Sequence, residues 1–297
     1  MTIHRATVSR VRPLADTMVR ITFAADDVPA FVSTGVGDEY VRLFFPHGPD
    51  RRELSLPVST DNGGWETPEG RPTAPMRTFT IRAARPEAAE IDIDFVLHDD
   101  GVAGPWAAAA RPGDPLGLNS PTGLYDPPAD LARQFLVCDL TGLPALARIL
   151  ESTPRDVTTR AVVEVPDERS VQPLPAHPRA KVTWTHGGNG HGPSRLAELV
   201  TTAVPPDADL TGTYIWVAGE TTALRSVRKH LRKTLALPTD RFKVVGYWAP
   251  GGESWSARYE ALATDVKAEL AALWDDPQGD LEDVTITYEE QLTRLGL

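Results

Sequence analysis

The chain of 297 residues contains a single cysteine, Cys138, so no disulfide can form within it. One thiol also excludes a cysteine-ligated zinc or iron–sulfur site built by one chain. No stretch approaches the roughly 18 consecutive apolar residues of a membrane span, and the first residues lack the apolar core of a signal peptide. We therefore expect a cytoplasmic protein without a membrane partner.

Positive charge is also scarce. The 30 lysines and arginines are outnumbered by 41 aspartates and glutamates, which gives a net charge of −11 and a pI of about 5.1. General nucleic-acid binding needs a basic surface that neutralises phosphates, so we expect no nucleic-acid partner. The seven histidines show no spacing typical of metal ligands, and we expect no metal site.

The pattern of apolar residues divides the chain into two parts. Residues 1–128 contain many short alternating segments, such as Ile91–Leu97, separated by clusters of glycine, proline and aspartate. This pattern predicts an N-terminal antiparallel β-barrel domain. Residues 129–297 alternate apolar strands with helical spacing, which predicts an α/β domain with a parallel sheet. A C-terminal helical extension follows, with one amphipathic helix expected over Tyr259–Trp274.

The segment Arg77–Arg82 reads Arg-Thr-Phe-Thr-Ile-Arg and lies in a predicted strand of the barrel. A guanidinium beside an aromatic ring and a hydroxyl suits a flavin dinucleotide. Arg77 would neutralise the pyrophosphate, the ring of Phe79 would stack, and the hydroxyl of Thr80 would contact the flavin edge. An edge strand with solvated arginines would give the same pattern, and both interpretations stay open on the residues alone.

Three further segments end predicted strands with glycine or aromatic residues. His98–Trp106 combines a glycine turn with a helix start, where free N–H groups can bind pyrophosphate. Trp216–Arg225 and Gly246–Trp248 end strands of the α/β part, at the sheet edge where ligands bind in such folds. The chain has no G-x-G-x-x-G, which excludes the standard Rossmann fingerprint. Ordinary turns and core packing would explain each segment taken singly.

Taken together, these segments resemble the siderophore-interacting protein family. Its R-x-Y-T-x-R, W-V-A-G-E and G-Y-W motifs fall on Arg77–Arg82, Trp216–Glu220 and Gly246–Trp248, with Phe79 in place of the tyrosine. Its H-x-D-x-G…W-A motif falls on His98–Ala107. The resemblance implies a ferredoxin-reductase type of fold, FAD on the barrel, and NADH or NADPH on the α/β domain. It also implies the transfer of electrons to a ferric siderophore, which releases Fe(II).

The motifs and the resemblance together define the candidate site residues. Thr80 is the candidate catalytic residue, because it would contact the flavin. The candidate cofactor-binding residues are Arg77, Phe79, Thr80, Ile81, Arg82, His98, Gly101, Val102, Ala103, Gly104, Trp106, Asp139, Thr141, Gly219, Glu220 and Trp248. An anionic siderophore would be attracted by the basic residues nearest in sequence to Gly246–Trp248, which are Arg241, Lys243, Arg258 and Lys267. Spacing on one helix would put Arg258 and Lys267 on opposite faces.

One loop departs from the family pattern. Where the family reads G-D-E-T-A-L-P-A, this chain has Cys138 for the glycine and Leu140 for the glutamate, while Asp139 and Thr141 are retained. The alternative hypothesis is therefore an FAD-binding scaffold with impaired nicotinamide binding that catalyses a biosynthetic step such as a cyclisation. If nicotinamide does bind, the acidic residues at the end of the second α/β strand, within Val163–Glu168, favour NADH over NADPH, with Arg169 close by as an opposing charge.

Overall fold

A computed structural model of the chain describes residues 2–25, 31–47, 52–60, 64–189, 192–275 and 280–297. The strands are β1 Ile3–Ala15, β2 Met18–Ala25, β3 Tyr40–Phe44, β4 Val58–Ser59, β5 Trp65–Glu66, β6 Met76–Arg85, β7 Glu90–Val96, β8 Pro115–Asn119, β9 Arg133–Asp139, β10 Thr158–Val165, β11 Ala180–His186, β12 Thr213–Glu220 and β13 Phe242–Trp248. The helices are α1 Ala103–Ala109, α2 Leu143–Ser152, α3 Leu196–Ala203, α4 Thr221–Lys229, α5 Gly252–Glu260, α6 Thr264–Ala272 and α7 Leu281–Arg294. Among the residues described, no helix is both long and apolar enough to cross a membrane.

The first part of the chain forms a closed barrel with the strand order β1-β2-β7-β6-β3-β8, which confirms the predicted antiparallel barrel. The alternation of apolar and acidic side chains in β7 shows why this sequence forms a closed barrel. Ile91, Ile93 and Phe95 point inward and are buried in the barrel core. Asp92 and Asp94 point outward, where Arg85 and Arg20 bind them through paired hydrogen bonds of 2.6–2.8 Å.

The second part contains the predicted parallel sheet, with the strand order β11-β10-β9-β12-β13. Its central strands are apolar over most of their length, because helices cover both faces of such a sheet. Residues Leu136–Cys138 of β9 and Trp216–Ala218 of β12 are all buried. The strands run in parallel, so Asp139, Glu164, Glu220 and Trp248 all lie at the carboxyl edge of this sheet.

Two compact units result, and neither is continuous in sequence. The barrel unit comprises Met1–Asp126, Leu140–Arg155 and Asp167–Pro178, and the sheet unit comprises Pro127–Asp139, Asp156–Pro166 and Arg179–Leu297. Helix α2 follows the first strand of the sheet in sequence, yet it packs against β6 of the barrel. The domain boundary at residues 128/129 stays a prediction.

The C-terminal region corrects one expectation. The single helix predicted over Tyr259–Trp274 is wrong, since α5 ends at Glu260 and α6 begins at Thr264. Between them the chain turns extended at Ala263, and the ammonium of Lys267 donates to the carbonyl of Glu260 at 2.6 Å. Threonine and aspartate at positions 264 and 265 favour a new helix start over continuation.

Helix α7 is held on α4 by opposite charges. Basic residues of α4 and of the π-helical turn His230–Thr234 that follows it meet acidic residues at and within α7. The pairs are Arg228 with Glu282 and Glu289, Lys229 with Glu290, Arg232 with Asp280 and Asp283, and Lys233 with Asp283. This arrangement fixes the last described helix within the sheet unit.

Candidate functional site

The register of β6 decides where the residues of the first motif point. Opposite residues of antiparallel strands share a face, and β6 pairs Arg77 with Leu43 and Thr80 with Tyr40 of β3. Leu43 is fully buried in the barrel core. Arg77, Phe79 and Ile81 therefore lie on the inner face, with Arg77 exposed at the end of the barrel. Thr80 lies on the outer face.

The motif at Arg77–Arg82 and the motif at His98–Ala107 each place one aromatic ring against Phe95 of β7. The ring of Phe79 lies 4.4 Å from that of Phe95, centroid to centroid, and the ring of Trp106 on α1 lies 5.9 Å from it. Arg77 stands two residues before Phe79 on the same face, so antiparallel alignment brings it level with Leu97, beside His98. Segments some twenty residues apart in sequence thus converge at one end of the barrel.

The structure gives several of these residues a packing role as well. Trp106 is buried and stacks with Phe23, with ring planes 12° apart, so its ring belongs to the barrel core. Ile81 and Ala103 are also buried in that core, and Val102 packs against it. Phe79 contacts the core through Phe95, which leaves the predicted stacking on a flavin a prediction.

The turn before α1 is built around close backbone approach. His98 and Gly101 are exposed, and α1 begins at Ala103. A Cβ atom on Gly104 would collide with the carbonyl oxygen of His98, so this position accepts glycine alone. Val102 at the N-cap has no polar side chain to bond the first N–H groups of the helix. Such a turn can accept an anionic group from outside.

The two arginines of the motif have different surroundings. Arg77 is exposed, and its guanidinium donates to the carbonyl of Met76 at 2.8 Å. The guanidinium of Arg82 instead donates two hydrogen bonds, of 2.7 and 3.1 Å, to the carboxylate of Glu151 on α2. Thr80, between them, is 7% exposed. A positive charge, a hydroxyl and a glycine turn at a helix start fit the pyrophosphate and ring edge of FAD.

At the edge of the parallel sheet the candidate residues form an acidic group. Asp139 and Glu164 are buried, and Glu220 is half-buried. Neutral donors hold the first two. The indole Nε1 of Trp248 donates to Asp139 at 2.6 Å, and the hydroxyl of Ser194 donates to Glu164 at 2.9 Å. The backbone N–H of Arg195 also donates to Glu164, at 2.6 Å.

The buried, acidic surroundings raise the pKa values of two of these carboxyl groups, Glu164 and Glu220. Burial is the main cause that raises the pKa of Glu220 above its usual range, and the charges of Asp139 and Glu164 raise it further. Burial also raises the pKa of Glu164, against the opposing effect of its hydrogen bonds.

Gly219 belongs to the same edge, because a Cβ atom there would lie 2.7 Å from a carboxylate oxygen of Asp139. Thr141 lies in the short turn Leu140–Gly142, which belongs to the barrel unit.

The structure does not bring the four basic residues proposed for substrate binding together. Arg241 and Lys243 lie at the start of β13, at the opposite end of that strand from Trp248, and Arg241 pairs with Asp130 at 2.8 Å. Arg258 lies on α5 and donates to the carbonyl of Gly296, whereas Lys267 lies on α6. The expectation of opposite faces on one helix is therefore wrong. The role of all four residues in substrate binding stays a prediction.

Sequence reasoning missed the side chains that surround β6 from α2. Arg148 and Glu151, three residues apart on α2, both contact this strand, and Arg148 also pairs with the buried Glu39. Nothing in the spacing of β6 reveals these partners, since they lie about 70 residues away in sequence. The only available signal was a basic and an acidic residue on an otherwise apolar helix.

Comparisons with known proteins define first the fold and then the family. A ferredoxin NADP+ reductase from Neisseria gonorrhoeae superposes with a TM-score of 0.58 at 13% identity, over 84% of this chain and all of that one. This likeness confirms the ferredoxin-reductase type of fold. A siderophore utilization protein from T. fusca gives a TM-score of 0.73 at 34% identity, over 84% of this chain and 94% of that one.

Family models match both parts of the chain. Residues 7–125 match the siderophore-interacting FAD-binding domain, and residues 131–251 match the siderophore-interacting protein. The NADPH-dependent ferric-chelate reductase of Escherichia coli is 32% identical over 82% of this chain and 91% of its own length. The chain belongs to the siderophore-interacting protein family, and the cofactor of its barrel is FAD. Helices α5 to α7 lie beyond the matched ranges.

Proposed function

We propose that the protein is an FAD-dependent reductase that passes electrons from NADH or NADPH to a ferric siderophore and so releases Fe(II). This proposal is carried by one observation: Phe79 of the motif on β6 and Trp106 of the motif at α1 both contact Phe95. That geometry gathers a guanidinium, a hydroxyl-bearing strand and a glycine turn at one end of the barrel. The names of the E. coli and T. fusca relatives support the substrate class.

Each residue then has a definite task. Arg77 and the first N–H groups of α1 bind the pyrophosphate, because a guanidinium and a helix start both favour an anion. Thr80 presents its hydroxyl from the outer face of β6 and orients the ring system by a hydrogen bond. The bound flavin supplies the redox chemistry, so no acid or base of the protein is required.

The iron chemistry explains why reduction releases the metal. Siderophores bind Fe(III) through hard oxygen donors, and Fe(II) is softer and bound more weakly by such donors. The protein therefore needs to bring the chelate to the flavin and does not need to bind iron itself. We place the reaction in the cytoplasm, where NADH and NADPH are available.

The test is anaerobic reduction of the FAD-loaded protein, followed by its absorbance. We expect NADH or NADPH to bleach the flavin absorbance, and an added ferric chelate to restore it as Fe(II) appears in a ferrous-specific dye assay. A flavin that stays oxidised with both nucleotides would overturn the proposal and favour the scaffold hypothesis of a biosynthetic step such as a cyclisation. Bleaching without Fe(II) would refute the substrate class.

A further inference from the structure

The starting observation is a β-bulge in the flavin strand. The ladder between β6 and β7 pairs Ile81 with Ile93 but Ala83 with Asp92, so Arg82 is an extra residue on β6. A bulge turns a side chain away from the regular alternation and is common beside functional sites. Here the extra residue lies two positions after Thr80, the residue proposed to face the flavin.

Helix α2 binds the backbone at this bulge. The guanidinium of Arg148 donates to the carbonyl of Ile81 at 2.7 Å and to the carboxylate of Glu39 at 2.8 Å. The N–H of Ile81 donates to the backbone carbonyl of Glu39 at 3.0 Å. Glu39 is fully buried and also accepts hydrogen bonds from Ser33 and Thr34. Both backbone polar groups of Ile81 are thereby fixed.

One turn further along α2, Glu151 binds the extra residue itself. The positions 148 and 151 lie on one face of a helix. Glu151 accepts two hydrogen bonds from Arg82, whose side chain is only 15% exposed. A guanidinium that is bidentate on a carboxylate has its planar fork occupied, so it offers little to a phosphate.

We propose that Arg82 is a positioning residue, and that only Arg77 of the two motif arginines binds phosphate. Arg82 and Glu151, together with Arg148, fix the backbone from which Thr80 reaches the flavin. The proposal rests on the proposed function only in that FAD binds along β6. It changes the role that the sequence motif alone gives to Arg82.

A double-mutant cycle on Arg82→Met and Glu151→Met separates the two roles. The readouts are the Kd of the apoprotein for FAD, from flavin fluorescence, and the visible circular dichroism of the bound flavin. If Arg82 acts through Glu151, each single variant raises the Kd about three- to fivefold, because the pair is partly exposed. The double variant then does no worse than either single one, and all three show the same altered dichroism.

A different pattern of Kd values is expected if Arg82 contacts the phosphate of FAD itself. If Arg82 binds phosphate directly, Arg82→Met raises the Kd tenfold or more, because a charge-assisted hydrogen bond is lost. Glu151→Met then has little effect, and the two effects multiply in the double variant. That outcome would overturn the proposal.

The barrel supplies a matched control. Arg20 on β2 makes a similar bidentate pair with Asp94, at 2.6 and 2.8 Å, two strands away from β6. Arg20→Met should lower the melting temperature and leave the Kd within twofold of the wild type. A Kd raised as much as in Arg82→Met would show a general effect of stability and refute positioning.

A wild-type protein that binds no FAD overturns this inference, whereas one that binds FAD without reducing a ferric chelate refutes only the proposed function.

Discussion

Three buried carboxylates of the barrel unit and two at the carboxyl edge of the sheet have opposite surroundings. In the barrel unit, Glu39, Asp92 and Asp94 each accept hydrogen bonds from a guanidinium. At the carboxyl edge of the sheet, Asp139 and Glu164 are held by an indole, a hydroxyl and a backbone N–H. Charge is neutralised in the first region and accumulates in the second.

The pKa of Asp92 is shifted in the opposite direction to those of Glu164 and Glu220. Burial raises the pKa of Asp92, but hydrogen bonds from Arg85 and Thr22 outweigh burial and leave the pKa lowered. At the edge of the sheet no guanidinium outweighs burial, and the pKa values of Glu164 and Glu220 are raised. Paired carboxylates stabilise a fold above their pKa, whereas crowded ones cost stability where they are ionised. We therefore expect the barrel pairs to serve structure and the edge to serve recognition.

The largest effect is expected from breaking a barrel pair. Arg148→Met leaves the carboxylate of Glu39 buried without its counter-charge, which should lower the free energy of unfolding by about 3–5 kcal/mol. Chemical denaturation followed by circular dichroism measures it. As a control, Arg169→Met removes the exposed pairs with Asp16 and Asp167 and should cost far less stability, because solvent screens exposed pairs. Equal losses in the two variants would contradict the comparison.

The next effect concerns Arg77, the exposed arginine of β6. Arg77→Ala should weaken FAD binding by about 1.5–3 kcal/mol, because it removes a charge-assisted contact with phosphate. Titration of the apoprotein with FAD gives the Kd. Arg12→Ala, at an exposed position of β1, is the control and should leave the Kd unchanged. An unaltered Kd for Arg77→Ala would remove this residue from the site.

Most of the fold could be predicted from the sequence, because local pattern encodes it. The alternation in Ile91–Leu97 indicates a half-buried strand, and β7 spans Glu90–Val96. The segments Trp216–Glu220 and Gly246–Trp248, predicted to end strands of the α/β part, do end β12 and β13. The helix break at Ala261–Ala263 was missed because alanine and leucine there favour continuation, although Thr264 and Asp265 favour a new helix start.

The candidate site was less predictable, because its partners come from distant parts of the chain. The motif identifies Arg82 but not Glu151, which lies 69 residues further on and occupies its guanidinium. The alternation of β6 puts Phe79 on one face but cannot show that its ring meets Phe95. The basic residues near Trp248 were grouped by sequence distance, whereas β13 separates Arg241 from Trp248 by the length of the strand.

A smaller effect is expected at the acidic edge. Glu164 is the second-last residue of β10, and its buried carboxylate is already held by Ser194 and Arg195. It would therefore act by repelling a 2′-phosphate near that end of the strand. We expect kcat/KM to favour NADH over NADPH by about tenfold, which corresponds to roughly 1.4 kcal/mol. Glu164→Gln should narrow the ratio, and Glu269→Gln, at an exposed position of α6, should not. The E. coli relative is named for NADPH dependence, so a clear NADPH preference here would show that this edge does not select the nucleotide.

The smallest effect tests the charge of the edge through pH. The folded-state pKa of Glu220 is raised by burial and by Asp139 and Glu164, so the stability tied to its neutral form is fully present below the usual glutamate value. That stability is lost as the pH rises through the raised pKa. Glu220→Gln cannot ionise, so its melting temperature should equal that of the wild type near pH 4 and exceed it by about 1–2 °C near pH 7.5. Thermal unfolding of both proteins, with Glu269→Gln as the control, measures this difference. A gap that stays constant over this pH range, or a variant that is less stable at pH 7.5, would show that Glu220 carries no unfavourable charge in the folded protein.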